Sequence, residues 1–141
     1  MKPPTPPIGL ALAAAARVVS RAFDDAMEAA GGSLPVWLVL LNLKSGRAGN
    51  QRELAAAVGV REGTLTHHLN AMERDGLLTR RRAPDNRRVH VVELTEAGER
   101  MFLSLREVAL AFDRRLRRGI SAQEASALQD LLNRLATNSK P

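Results

Sequence analysis

A chain of 141 residues has room for one domain and at most a helical appendage. It is 45% hydrophobic and 26% charged, with a net charge of +6, which favours polyanions, either nucleic acid or an anionic membrane surface, the alternative being a well-solvated basic surface. The absence of cysteine excludes disulfides, thiolate metal sites and cysteine redox sensing, and 3% aromatic residues offer little surface for stacking single-stranded bases.

In chain order, residues 1–7 are rich in proline and read as an extended, mobile tail. Residues 8–30 carry apolar side chains at helical spacing (Leu12, Ala15, Val19, Ala22, Ala26), and Gly31-Gly32 ends that helix. Ala14-Ala15-Ala16 resembles an export cleavage site, but the preceding segment is a poor basic leader and Arg17 and Arg21 continue the helical pattern beyond it. No stretch reaches the ~20 apolar residues needed to span a bilayer, so a soluble, cytoplasmic protein is expected.

Ser33 caps a second helix through about Leu43, apolar almost all round and therefore buried. Asn50-Gln51-Arg52-Glu53 has the capping-box spacing and opens a short helix with Leu54, Ala55 and Val58 inward. After the Gly59-Val60 turn, a helix from about Arg61 to Asp75 puts Leu65, Leu69 and Met72 on its core side, and Gly76 closes it. Two short helices joined by a glycine turn predict a helix-turn-helix.

The period then becomes alternating. Leu77–Arg82 and Arg88–Leu94 predict two strands joined by a turn at Ala83-Pro84-Asp85-Asn86, a wing directly after the helix pair. Thr95 caps a long helix through about Arg118, and Ser121-Ala122-Gln123-Glu124 opens a last one. The expected fold is mainly α with a small β-wing: a winged helix-turn-helix at 33–94, flanked by helices at 8–32 and 95–137, all in one domain spanning 8–141.

The order and spacing of Glu53-Leu54-Ala55, Gly59-Val60, Thr64-Leu65-Thr66, Glu73-Arg74-Asp75-Gly76-Leu77 and Leu94-Thr95-Glu96-Ala97-Gly98 resemble the MarR family of bacterial regulators. Arg87-Arg88 sits at the usual distance before Leu94-Thr95. The resemblance implies a homodimer formed by the flanking helices, a recognition helix in the major groove and the wing tip with Arg88 in the minor groove. It also implies a small-molecule effector in the cleft between the dimer helices and the reading head, with repression as the default. Two departures stand out. Arg61 replaces the family's Ser or Thr cap on the recognition helix, and Ala83 and Asn86 stand where the wing usually carries acids, one of which pairs with an arginine such as Arg88. Asn86 would bond Arg88 without charge assistance, leaving the wing looser and more positive.

On the recognition helix, the period that turns Leu65, Leu69 and Met72 inward turns Gly63, Thr64, His67, Asn70, Ala71 and Arg74 outward, with Thr66 and His68 on the flanks. Thr64, Thr66, His67 and His68 are the candidates for base edges or nearby phosphates, and Arg61 for a phosphate. His68 reads equally well as a half-buried packing residue. Arg80, Arg81, Arg82, Arg87 and Arg88 crowd a hairpin whose acid is Asp85; Arg81, Arg87 and Arg88 are taken as DNA contacts, while strand alternation must turn one of Arg80–Arg82 elsewhere. Trp37 either lines the effector cleft or fills the core.

His67 and His68 are adjacent and cannot form the i,i+4 metal pair of helices, so no metal or other cofactor is expected. Arg114, Arg115, Arg117 and Arg118 complement a helix dipole rather than mark a site. No nucleophile, carboxylate pair or phosphate loop suggests an enzyme. The expected function is sequence-specific binding of an inverted repeat in duplex DNA; the alternative is a winged-helix module that docks on protein.

Overall fold

A computed structural model describes residues 4–46, 50–85 and 90–141. The order of elements is α1 (Ile8–Ala29), α2 (Leu34–Ser45), α3 (Gln51–Val58), α4 (Glu62–Arg74), β1 (Leu78–Arg82), β2 (His90–Leu94), α5 (Glu96–Leu116) and α6 (Ala122–Asn138). These form two compact units, one ending at Ala109 and the other running Leu110–Pro141.

Local chemistry sets each boundary. At the end of α1 the Gly32 amide reaches back to the Met27 carbonyl at 2.9 Å. Ser33 Oγ accepts from the Val36 amide at 3.2 Å and caps α2, while Asp24 on α1 accepts from the Leu34 amide at 3.2 Å and ties the two helices together. Asn50 caps α3 with its side-chain oxygen 2.9 Å from the Glu53 amide. Its side-chain amide also donates to the Glu53 carboxylate at 2.8 Å, so the two side chains bond each other as well. Ser121 and Glu124 form the reciprocal capping box expected at the start of α6.

The core of the first unit lies where α2, α3, α4 and the sheet meet. Met27, Leu40, Leu54, Leu65, Leu69 and Leu105 are completely buried there. Trp37 stacks on Phe102 with ring centroids 5.7 Å apart and planes 12° apart, and both belong to this core. The helix carrying Trp37 is less enclosed than its composition suggests: Leu41 keeps 39% of its surface exposed. In the antiparallel sheet, Leu78 faces Leu94, Arg80 faces Val92 and Arg82 faces His90.

The joint between sheet and α5 is tight. The Thr95 amide donates to the Leu77 carbonyl at 3.1 Å, and the Thr95 hydroxyl donates to the Gly76 carbonyl while accepting from the Gly98 amide at 3.1 Å. A Cβ on Gly98 would stand 2.0 Å from the Leu77 carbonyl oxygen, a backbone atom that cannot step aside. Gly98→Ala is therefore expected to lower unfolding stability by about 3 kcal/mol, the upper end for overpacking, measured by denaturant titration. A parent-like midpoint would show that the joint has slack.

Candidate nucleic-acid interface

Helix α4 is two-sided. Leu65, Leu69 and Met72 are buried, and Arg61, Thr64, His67, Asn70 and Arg74 are exposed along the opposite side. Arg61 occupies the N-cap with extended backbone and makes no side-chain cap bond, as the departure at that position predicts. Its carbonyl accepts from the Leu65 amide at 2.9 Å, which leaves the guanidinium outside the helix's own bonding. Gly63 has open space within 4 Å of where a Cβ would stand.

Thr66 is half-buried and has a structural task. Its hydroxyl donates to the Glu62 carbonyl at 2.9 Å and accepts from the Gln51 side-chain amide at 2.7 Å. The first residue of α3 thus holds the first turns of α4, and the expectation of Thr66 as a contact must share its hydroxyl with that bridge. His67 is exposed and His68 half-buried, their rings tilted by 60° with centroids 6.0 Å apart. Among the described residues no cluster of three or more His, Asp or Glu side chains is placed to hold a metal ion.

The wing arginines are not equivalent. Arg81 pairs with Glu93 across the sheet at 2.9 Å, with its Nε at 3.3 Å from the same oxygen. Arg80 turns the other way, as alternation requires, and keeps only 16% of its side chain exposed. Its Nη2 donates to Glu73 Oε1 at 3.1 Å and to Asn70 Oδ1, while its backbone amide donates to Glu73 Oε2 at 3.1 Å. The crowding inferred from a hairpin with Asp85 as its acid is thereby reduced: Glu93 on β2 pairs with Arg81 and Glu73 on α4 pairs with Arg80. Arg87 and Arg88, with Asn86, lie outside the described residues.

Sequence reasoning missed the Asn70–Glu73–Arg80 cluster. Its signal was present, because Asn70 and Glu73 stand at i,i+3 on one side of α4 and Arg80 is the β1 residue whose parity turns it toward them.

The profile of the MarR family matches residues 33–90, the segment holding α2, both short helices and the first strand. An uncharacterised HTH-type transcriptional regulator of Bacillus subtilis (strain 168), YdgJ, is 30% identical over 89 residues. That match takes in 63% of this chain and 54% of YdgJ, so the chain spans about half the length of this curated relative. The transcriptional repressor CouR, solved on a 23-mer DNA duplex, is 27% identical with a TM-score of 0.84, covering 92% of each chain.

Residues 33–90 of this chain thus carry the MarR-family match, and the fold as a whole is similar to that of a solved MarR-family regulator of Rhodococcus sp. RHA1, at 25% identity and a TM-score of 0.79 over 95% of each chain. CouR from Rhodococcus jostii RHA1, solved with p-coumaroyl-CoA, is similar over 96% of each chain at 25% identity and a TM-score of 0.79. The likeness therefore extends beyond the helix pair and sheet to the flanking helices.

The Glu73 carboxylate is held below the usual glutamate range, chiefly by the side-chain bond from Arg80, helped by the Arg80 backbone amide and its positive charge. A carboxylate with a depressed folded-state pKa contributes stability above its unfolded value, and that contribution is lost as pH falls through the folded value. The Arg80 bond is expected to persist through mildly acidic pH and open only below the ordinary glutamate range. Side-chain carboxyl NMR should place the Glu73 titration below that of a reference glutamate in the parent, and closer to it in Arg80→Gln, which keeps the backbone amide bond but loses the guanidinium. An unshifted Glu73 in the parent would contradict the pairing.

Proposed function

We propose that this chain is a homodimeric, cytoplasmic transcription regulator that binds an inverted repeat in duplex DNA and acts as a repressor relieved by a small-molecule effector. The observation that carries the reading is the exposed side of α4, where Arg61, Thr64, His67, Asn70 and Arg74 lie in line beside a basic hairpin. An α-helix so displayed matches the width of the major groove, and side chains along it meet base edges and flanking phosphates. Thr64 and His67 read bases; Arg61 binds phosphate; Thr66 and His68 contribute from the flanks; Arg87 and Arg88 supply the wing's charge, with Arg88 in the minor groove, and Arg81 joins them only by leaving its pairing with Glu93. The DNA duplex bound by CouR supports this use of the fold.

The dimer rests on unpartnered apolar surface. Residues 8–21 of α1 are exposed throughout, and Ile8, Leu10 and Val18 each leave at least 65% of their surface open. Leu128 and Leu131 on α6 are about half exposed. A projecting helix of this kind gains little from propensity alone and is stabilised by burying its apolar stripe. Pairing of helices 8–32 and 95–137 with those of a second copy would make residues 8–141 one domain and set two recognition helices about one DNA turn apart. An effector lodged near the dimer helices is supported by p-coumaroyl-CoA bound to CouR, although Trp37 here is part of the core and not a wall awaiting a ligand.

A protein-docking module is the second reading, favoured by the neutralisation of Arg80 and Arg81 by Glu73 and Glu93. Selection of bound fragments from random duplex DNA, followed by affinity across a salt series, separates the two. The DNA reading expects an inverted repeat and a steep fall in affinity with salt; no enriched sequence and salt-insensitive binding would favour docking.

Two substitutions refine the test. Arg88→Ala is expected to weaken binding about tenfold and reduce the salt slope by about 0.9, with the unfolding midpoint unchanged. Gly63→Ala is expected to raise stability by about 0.5–1 kcal/mol, since alanine is the better helix former, while lowering DNA affinity through the added methyl at the approach of the backbone. Equal affinity in Gly63→Ala would place the first turn of α4 away from the DNA.

A further inference from the structure

We infer that Asn70 is a DNA contact which presents its amide N–H group to a hydrogen-bond acceptor, and that Arg80 fixes this orientation as a positioning residue. The inference rests on the DNA-binding reading above and goes beyond it in naming the residue and the chemistry it recognises.

Arginine has donors and no acceptor, so the Asn70 atom that meets Arg80 Nη2 is the carbonyl oxygen Oδ1. That contact settles which way the Asn70 amide points. Arg80 is in turn anchored twice on Glu73, through Nη2 and through its backbone amide, each at 3.1 Å. Three side chains on two elements are thus locked, and the Asn70 Nδ2 group is left as the outward end.

Asn70 itself is exposed and stands on the outer side of α4, one turn beyond His67 and one turn before Arg74. An unconstrained asparagine in the major groove reads adenine with both ends of its amide, accepting from N6 and donating to N7. With Oδ1 engaged by a cation, the donor remains. Its complement on DNA is an acceptor: guanine O6 or N7, adenine N7, thymine O4, or a phosphate oxygen. The Arg80–Glu73 pair carries no net charge, so Arg80 acts on the DNA through Asn70 and not as a phosphate ligand.

The test uses the full chain and the operator recovered from selection. Parent protein that binds no duplex would overturn the DNA reading as a whole; parent that binds while the variants behave alike would overturn this inference alone. Asn70→Ala is expected to cost about fivefold in affinity with an unchanged salt slope, the effect of one neutral hydrogen bond. Loss confined to one base pair identifies a base acceptor, and equal loss on every sequence identifies a phosphate oxygen.

Asn70→Asp keeps a partner for Arg80 but replaces the donor with a carboxylate, and is expected to bind more weakly than Asn70→Ala. Binding equal to or tighter than Asn70→Ala would mean that residue 70 faces a donor, which overturns the inference. Arg80→Gln frees the Asn70 amide to turn. The expected result is a parent-like salt slope, with preference at the contacted pair moving toward adenine when the contact is a base, or a uniform loss when it is a phosphate. A slope lowered by about 0.9 would make Arg80 itself a phosphate ligand and overturn its positioning role. Should Arg80→Gln fail to fold, the two substitutions at exposed Asn70 decide the matter.

Discussion

The burial of Leu65, Leu69 and Met72 is the constraint on which the reading head depends. Three apolar side chains on one stripe of a thirteen-residue helix leave α4 a single rotational setting in which none of them meets water. Burial of side chains of this size contributes about 1.5–3 kcal/mol each, more than any single surface pairing described here. The polar side of the helix is therefore presented by default, because the inner side has nowhere else to go. Gln51 bonded to Thr66 and Arg80 bonded to Glu73 then trim the setting from either end.

Charge in this protein is arranged more economically than its net value suggests. A surplus of basic residues attracts a polyanion over long range, but affinity at contact depends on which cations still lack a carboxylate. Glu73 and Glu93 each take up one strand arginine, and both acids belong to the elements that would approach the duplex. In the proposed function, such pairing would limit nonspecific attraction and leave discrimination to the neutral and imidazole side chains of α4.

Much of this was legible in the chain itself. Gly31, Gly59 and Gly76, each at positive φ, mark helix ends where the sequence places them. The change from a period of 3.6 to one of 2 after Gly76 locates the sheet, and the boundaries of α4 agree within a residue because its cap, its core stripe and its terminal glycine all speak to the same span. The candidate site was harder to read. Exposure of Thr64 and His67 follows from the helical period, but the tasks of Thr66 and Arg80 depend on partners fifteen and seven residues away in sequence, and only the packing of α3 and β1 against α4 brings them within reach. Glu93 was visible in the hairpin, yet pairing it with Arg81 requires the register of the two strands.

The joint at Thr95 and Gly98 bears on how such a protein acquires a new binding preference. Thr95, between the return strand and α5, donates to both carbonyls that follow α4, those of Gly76 and Leu77, its hydroxyl accepts from the Gly98 amide, and Gly98 leaves no room beside the Leu77 carbonyl. The reading head has no independent hinge at that point, and its helix cannot be re-aimed by small adjustments of the loop behind it. Under the proposed function, divergence toward a different operator would be channelled into the exposed residues of α4 and the wing, where a side chain is exchanged without disturbing the frame. The scaffold thus separates what is read from how the reader is held.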